Sequence, residues 1–167
     1  EIVKIISGEM DENVSIYVTS KHILFEFDNT RVVSRLLEGE YYKISQMLSS
    51  DYETKITINK KEFLNCIDRA SLLIRESDKK PIIIDIADHS LKLNINSFFG
   101  SMEEEILIQK EGRDLLIGFN PKFLMDVLRV IDDEEINIYL VNPKAPCFIK
   151  DKEESYIYLI LPVNFNH

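Results

Sequence analysis

An α+β fold built from repeated β-α-β-β-β units is what this sequence predicts, and three observations predict it. First, two short strands each run straight into an asparagine-capped helix, and Ile58-Asn59…Phe63-Leu64 aligns with Phe119-Asn120…Phe123-Leu124. Second, each helix is followed by β-rich stretches separated by turn residues. Third, the chain ends in Ser155-Tyr-Ile-Tyr-Leu-Ile-Leu-Pro162, where positions 156–161 are all apolar or aromatic. That run reads as a strand buried on both faces and stopped by Pro162, which has no N–H to give to a ladder. Such a strand is expected to insert between elements made earlier. The apolar-Pro-apolar tail beyond it is expected on the surface, where a binding site can be built.

A chain of 167 residues, 45% hydrophobic and 29% charged, is long enough for one or two domains with real cores. No apolar run approaches the length of a membrane-spanning helix. Cys66 and Cys147 stand without a CxxC or a nearby His pair, so they read as reduced core cysteines of a cytoplasmic protein. The net charge of −9 argues, taken alone, against nucleic acid as a partner, but says nothing about a local basic face. The first residue is Glu1, and the opening residues look like the inside of a helix, so part of a longer chain is expected.

Along the chain, apolar spacing predicts a short amphipathic helix over 1–10, ending near Gly8. Strands follow at Val14–Thr19, His22–Asp28 and Arg31–Leu37, with turns at Ser20-Lys21 and Asn29-Thr30. Ile23, Leu24, Phe25 and Phe27 make the middle strand apolar enough to be central. Gly39 breaks the sheet, 41–50 is irregular or weakly helical, and Ser49-Ser50-Asp51 reads as a linker.

The next block opens with the strand Thr54–Asn59. Asn59 is placed as an N-cap, with Glu62 completing a capping box, and the helix runs to about Arg75 with Phe63, Ile67, Ala70 and Ile74 on one face. Strands follow at Ile82–Ala87, Ser90–Ser97 and Met102–Gln109. The last block repeats the plan: strand Leu115–Asn120, Asn120 as N-cap with Pro121 at the first helical position, helix Pro121–Ile131, then strands Ile136–Val141, Cys147–Lys150 and Tyr156–Leu161. Residues 1–37 read as the same unit lacking its first strand. A half-unit has an unpaired sheet edge and half a core, so 1–50 is expected to be the less stable part.

Ile117-Gly-Phe-Asn120…Phe123-Leu-Met-Asp-Val-Leu128 followed by Leu159-Ile-Leu-Pro-Val163 resembles the bacterial DNA polymerase III beta subunit family, the replicative sliding clamps. Arg69-Ala-Ser-Leu-Leu-Ile74 and Leu37-Glu-Gly39 extend the resemblance, which covers essentially the whole chain. It implies the DNA clamp fold, with 1–50 as the C-terminal half of the middle clamp domain and 51–167 as the complete third domain. It also implies a processivity factor: a head-to-tail homodimeric ring that encircles duplex DNA without reading sequence. Such a ring tethers the polymerase alpha subunit, the clamp loader and other proteins carrying a clamp-binding motif. No catalysis, cofactor or membrane is implied.

By the same resemblance, an apolar pocket takes a short peptide with a Gln and spaced Leu/Phe anchors. Its residues here are Tyr42, Gln46, Met47, Asn120, Phe123, Pro146, Ile160, Leu161, Pro162, Val163 and Asn164. The competing reading is that Phe123, Ile160 and Leu161 fill the domain core. Tyr42 stands where many members have Pro, and Gln46 and Asn164 stand where they often have Arg, which weakens recognition of acidic peptide flanks. Lys4, Lys61, Arg69 and Arg129 are the candidates for weak phosphate contacts, against a reading as solvated surface charge. The ring interface is expected at Leu72, Leu73, Met102, Glu103, Glu104, Glu105 and Ile106.

Enzyme readings find little support. His22, His89 and His167 have no Cys or His at metal-ligand spacing, and GxSxG, P-loop and GxGxxG motifs are absent. The acidic runs Glu103-Glu104-Glu105 and Asp132-Asp133-Glu134-Glu135 read as solvated charge rather than a cation site. The runner-up is a non-catalytic, β-rich peptide-binding module that never meets DNA.

Overall fold

The structure is a computed structural model that describes residues 13–40, 51–75, 80–151, 153 and 155–165; the helix expected over 1–10 and the stretch 41–50 lie outside them. The chain divides into two compact units, Glu1–Leu48 and Ser49–His167.

In the first unit, β1 (Ser15–Val18), β2 (His22–Phe27) and β3 (Thr30–Arg35) form an antiparallel sheet in the order β1-β2-β3. The apolar middle strand is central, as its composition predicts. The Thr19 hydroxyl accepts the His22 N–H at 3.0 Å and so closes the first turn. The second turn sits one residue earlier than expected. Asp28 takes φ 48°, a left-handed conformation that Asp tolerates, and Thr30 already pairs with Phe27. β3 stops at Arg35, short of the expected Leu37, and Gly39 turns the chain away at φ 123°.

The second unit contains β4 (Thr54–Asn59), α1 (Lys60–Ser71), β5 (Ile82–Ala87), β6 (Ser90–Ser97), β7 (Gly100–Leu107), β8 (Gln109–Gly112), β9 (Leu115–Phe119), α2 (Pro121–Leu128), β10 (Glu135–Leu140), β11 (Cys147–Lys150) and β12 (Ile157–Ile160). They make two sheets, β12-β11-β10-β4-β8 and β7-β6-β5-β9. The repeats exchange their first strands. β4 pairs with β10, Ile58 against Ile136, and β9 pairs with β5, Ile117 against Ile84. Neither repeat closes its own sheet, so the two fold as one body.

Two expectations are corrected here. The single strand expected over Met102–Gln109 is two: the chain leaves one sheet at Leu107 and joins the other at Gln109, with buried Ile108 between them. The C-terminal strand is not inserted between others. Among the described residues β12 is an edge strand, paired only with β11, because β4 and β11 already occupy both sides of β10. Its apolar run is half-buried over 156–159 and fully buried only at Ile160.

Both asparagine caps form. The Asn59 carboxamide oxygen accepts the Glu62 N–H at 3.0 Å, and that of Asn120 accepts the Lys122 N–H at 3.0 Å. Both helices end before the predicted Arg75 and Ile131. The chain continues in tighter turns in which Leu73 N–H meets Ala70 O at 3.1 Å, Ile74 N–H meets Ser71 O at 3.0 Å, and Val130 N–H meets Val127 O at 3.1 Å. These turns keep Leu73 and Ile74 packed on the core and bury Ile131, which is why the apolar periodicity overran the helices.

The core lies between the helices and the sheets. α1 contributes Phe63, Cys66, Ile67 and Ala70, and α2 contributes Leu124 and Leu128. Strand residues such as Ile58, Ile86, Leu93 and Ile136 meet them. Burying each large aliphatic side chain is worth about 1.5–3 kcal/mol relative to exposure. Cys66 and Cys147 are free and buried, as expected of core cysteines.

Candidate peptide-binding site and helix face

Beyond Pro162 the tail runs along the free side of β9, and the Val163 N–H donates to Gly118 O at 2.8 Å. This mirrors β8 lying along β4, so both repeats end by sending a segment across to the other sheet. Gly118 leaves the room required: a Cβ there would stand 2.6 Å from a Phe165 ring carbon and 2.9 Å from Val163 O.

That contact sets the register of the site. Leu161 lies two residues before Val163 on the tail, and Asn120 two residues after Gly118 at the end of β9. Cys147 faces Ile160, so Pro146 and Leu161 share one end of the β11–β12 pair. Asn120 caps α2 and Phe123 lies on its first turn, 52% exposed; Leu161 is 58% exposed. Pro162 and Val163 are half-buried and Asn164 is exposed. The competing core reading therefore fails for Phe123 and Leu161 and holds for Ile160. At 3% exposure Ile160 packs in the core and backs the site rather than facing a ligand. Tyr42, Gln46 and Met47 lie outside the described residues.

Next to the tail is a cleft of about 530 Å³. Its lining comes from the tail (Val163, Asn164, Phe165), from the start of β4 and the run into β9 (Glu53, Thr54, Arg113, Asp114, Leu115, Leu116), and from the end of β10 and the turn after it (Val141, Asn142, Pro143, Lys144). Sequence reasoning found only Val163 and Asn164 here. The rest come from strand ends that meet through the strand exchange, which carries no local signal. Arg113 pairs with Glu53 at 3.1 Å, and the Thr54 hydroxyl donates to Arg113 O at 2.8 Å. The hydrogen bond from Lys110 holds the Asp114 carboxyl below its ordinary range. The Asn142 side-chain oxygen accepts the N–H groups of Lys144 and Ala145, each at 2.9 Å.

The helix face is mixed in charge rather than basic. Lys61, Arg69, Lys122 and Arg129 are exposed on or beside the helices, but so are Glu62, Asp68 and Asp126. Arg69 forks onto Glu104 of β7, with Nε 2.6 Å from Oε1 and Nη2 on Oε2. That hydrogen bond is the main reason the Glu104 carboxyl sits below its usual range. Arg129 lies 3.5 Å from Asp68. Lys61 is free of ion pairs among the described residues, and Lys4 lies outside them.

The residues expected at a ring interface divide by the alternation of β7. Leu72, at the C-cap of α1, is 81% exposed, and Glu103 and Glu105 are exposed. Leu73 and Met102 pack against the core, and Ile106 is buried within it, because their side chains point inward from the turn and the strand. These three support the surface instead of forming it. Among the described residues β7 is a free sheet edge. The sequence reading passed over Phe98 and Phe99 at the β6–β7 turn. Phe98 is 92% exposed, the rings meet edge-to-face at 5.6 Å, and the Arg75 guanidinium lies 4.4 Å over Phe99. An apolar pair inside Ser97-Phe-Phe-Gly100, where turn residues are expected, was the available signal. The acidic run 132–135 is exposed, as expected of solvated charge. Among the described residues, no group of three or more His, Cys, Asp or Glu is arranged to hold a metal ion.

The family model for the DNA polymerase III beta subunit, C-terminal domain, matches residues 45–164. The beta sliding clamp of Staphylococcus aureus is 36% identical over 166 residues, covering 98% of this chain and 44% of that protein. A crystal structure of a DNA polymerase III beta subunit from Eubacterium rectale matches with a TM-score of 0.87 at 67% identity, over 99% of this chain and 45% of that one. The DNA polymerase sliding clamp of Bacillus subtilis matches with a TM-score of 0.83 at 34% identity, over 98% of this chain and 45% of that one. The chain spans less than half the length of these relatives. Strand exchange, paired helices and tail all fall within the matched residues, and the chain belongs to the DNA polymerase III beta subunit family of sliding clamps.

Proposed function

We propose that this chain acts as part of a replicative processivity factor, a sliding clamp that encircles duplex DNA and tethers polymerase and other partners. In this reading 51–167 is the third clamp domain and 1–50 the second half of the middle one. The observation that carries it is the family match over 45–164. Encirclement is topological, so the protein has no need to grip bases, and a tight grip would oppose sliding. A helix face whose arginines are already paired suits weak, screened phosphate contacts. No chemistry is performed and no cofactor is needed; the setting is the bacterial cytoplasm.

Partners dock as short peptides with a Gln and spaced Leu/Phe anchors. Exposed Phe123 and Leu161, beside Asn120, Pro146, Pro162 and Val163, offer apolar anchoring points of the required kind. A few anchors give modest affinity and fast exchange, which suits partners that take turns. Leu72 and the free edge of β7 meet the head-to-tail partner subunit.

The test is titration of the full-length subunit with a labelled peptide of that type, beside Phe123→Ala and a truncation after Leu161. Saturable binding weakened by both changes supports the reading; no binding by folded protein sinks it. The mixed charge of the helix face suits a second reading equally well, a peptide-binding module with no DNA role. Loading the full-length subunit onto circular and linear DNA separates the two. Retention on circles alone marks a clamp.

A further inference from the structure

A peptide lying against Leu161, Pro162 and Val163 is led by the tail past Asn164 to the cleft of about 530 Å³, most of whose lining the docking reading leaves unused. We propose that this cleft holds the flank of the same partner peptide: an extended segment that sets one apolar side chain against Leu115, Leu116 and Val141 and one Asp or Glu side chain beside Lys144. The inference rests on the peptide-docking reading above.

Size, surface and charge argue for it. The volume lies within the range of about 300–1,000 Å³ typical of ligand clefts. Leu115, Leu116, Val141 and Val163 are all half-buried, so an apolar side chain placed between them removes further apolar surface from water. The other charged groups of the lining already have partners. Glu53 and Arg113 pair at 3.1 Å, and Asp114 is taken by Lys110. Lys144 remains as the lining cation with no carboxylate partner among the described residues. Asn142 holds its backbone, at 2.9 Å, while the ammonium is left to its flexible stem. A mobile point charge of this kind suits a single carboxylate rather than a planar, bidentate group. Val163 and Asn164 line both the docking site and the cleft, so one continuous peptide reaches both.

The test compares an anchor-only peptide (Gln with spaced Leu and Phe) with versions extended by Val-Asp or Val-Asn, at the N-terminal end in one set and the C-terminal end in another. Each is titrated against wild type, Lys144→Ala and Lys144→Glu, with the melting temperature of each variant as a control for folding. At one of the two ends, wild type is expected to bind the Asp version about three- to fivefold more tightly than the Asn version at low salt, with the gap closing as salt rises. Lys144→Ala removes the preference, Lys144→Glu reverses it, and anchor-only binding stays unchanged. Methyl signals of Leu115, Leu116 and Val141 shift with the extended peptide and not with the anchor-only one. An Asp preference that survives Lys144→Glu, or still methyls at saturation, overturns the inference and leaves the docking reading standing. Failure of folded protein to bind the anchor-only peptide overturns the docking reading and this inference with it.

Discussion

Val163 gives its backbone N–H to Gly118 at 2.8 Å, and the space beside Gly118 is filled by the Phe165 ring. The tail is therefore tied to the edge of β9 by a backbone hydrogen bond, and the missing side chain of Gly118 is what admits it. Gly118→Ala puts a Cβ 2.6 Å from the ring and 2.9 Å from Val163 O. Relief requires the ring to swing and the tail to lift, at a cost of about 1–3 kcal/mol. Urea denaturation should show that loss, and limited proteolysis should clip the tail faster. An unchanged midpoint would mean that the tail is not seated there.

Gly112 tests a harder version of the same contact. Its Cβ would lie 1.9 Å from the Glu53 carbonyl oxygen, and its φ is 96°. The obstacle is backbone at the start of β4, which cannot rotate away as a ring can. Gly112→Ala should cost more than Gly118→Ala, about 2–4 kcal/mol, from conformational strain added to overlap. Thermal melts of the two variants side by side give the order, and the reverse order would refute the argument.

These glycines mark the limit of what the sequence makes legible. Caps and hairpins depend on neighbours within a few residues, and Asn59, Asn120 and Pro121 announce the two helix starts. The pairing of Ile58 with Ile136 depends on two distant segments meeting, and nothing within either segment states it. The same holds for Ile108, where an unbroken β-pattern hides a change of sheet, and for β12, whose apolar run looked central and is at an edge. Part of the site was legible because Pro162 stops a strand and leaves Leu161 and Val163 to be accounted for. The cleft was not, because Leu116, Val141 and Lys144 are brought together only by the exchanged strands.

Adjacent residues on α2 separate docking from folding. Phe123 is half exposed and Leu124 is buried at 1%. Phe123→Ala should change stability by no more than about 0.5 kcal/mol, as for most surface positions, while reducing affinity for the anchor peptide by about tenfold or more. Leu124→Ala opens a cavity and should cost about 2–5 kcal/mol. Denaturation midpoints and peptide titrations on both variants check the split. Loss of stability in Phe123→Ala would return that residue to the core.

Burial pushes both cysteine thiols up to about 12, so almost no thiolate exists at neutral pH. The thiolate is the reactive form, and both side chains are also sterically shielded. Iodoacetamide should leave Cys66 and Cys147 unmodified in the folded protein and label them together as denaturant unfolds the second unit. Rapid labelling of either one under native conditions would contradict its placement in the core.

The fork between Arg69 and Glu104 ties α1 to β7 and gives stability an acid limb. The hydrogen bond from Arg69 is the largest cause of the depressed Glu104 value; burial opposes it, and the charge of Arg69 adds to it. Because the folded value lies below the ordinary 4.5, the contribution is present in full above that pH and is lost as pH falls through the folded value. Asp114, lowered chiefly by Lys110, and Asp151, lowered chiefly by Ser155, act with the same sign below their ordinary 3.8. Melting temperature should therefore hold near neutral pH and drop as pH goes below about 4.5. Glu104→Gln keeps the shape of the side chain but removes its titration, so the drop should begin lower and be shallower, with a lower plateau at neutral pH. Adding salt should lower wild type toward the variant, since screening weakens a pair whose arginine is exposed and whose carboxylate is half-buried. An acid limb identical in the two proteins would show that Arg69 does not hold Glu104 ionised in solution.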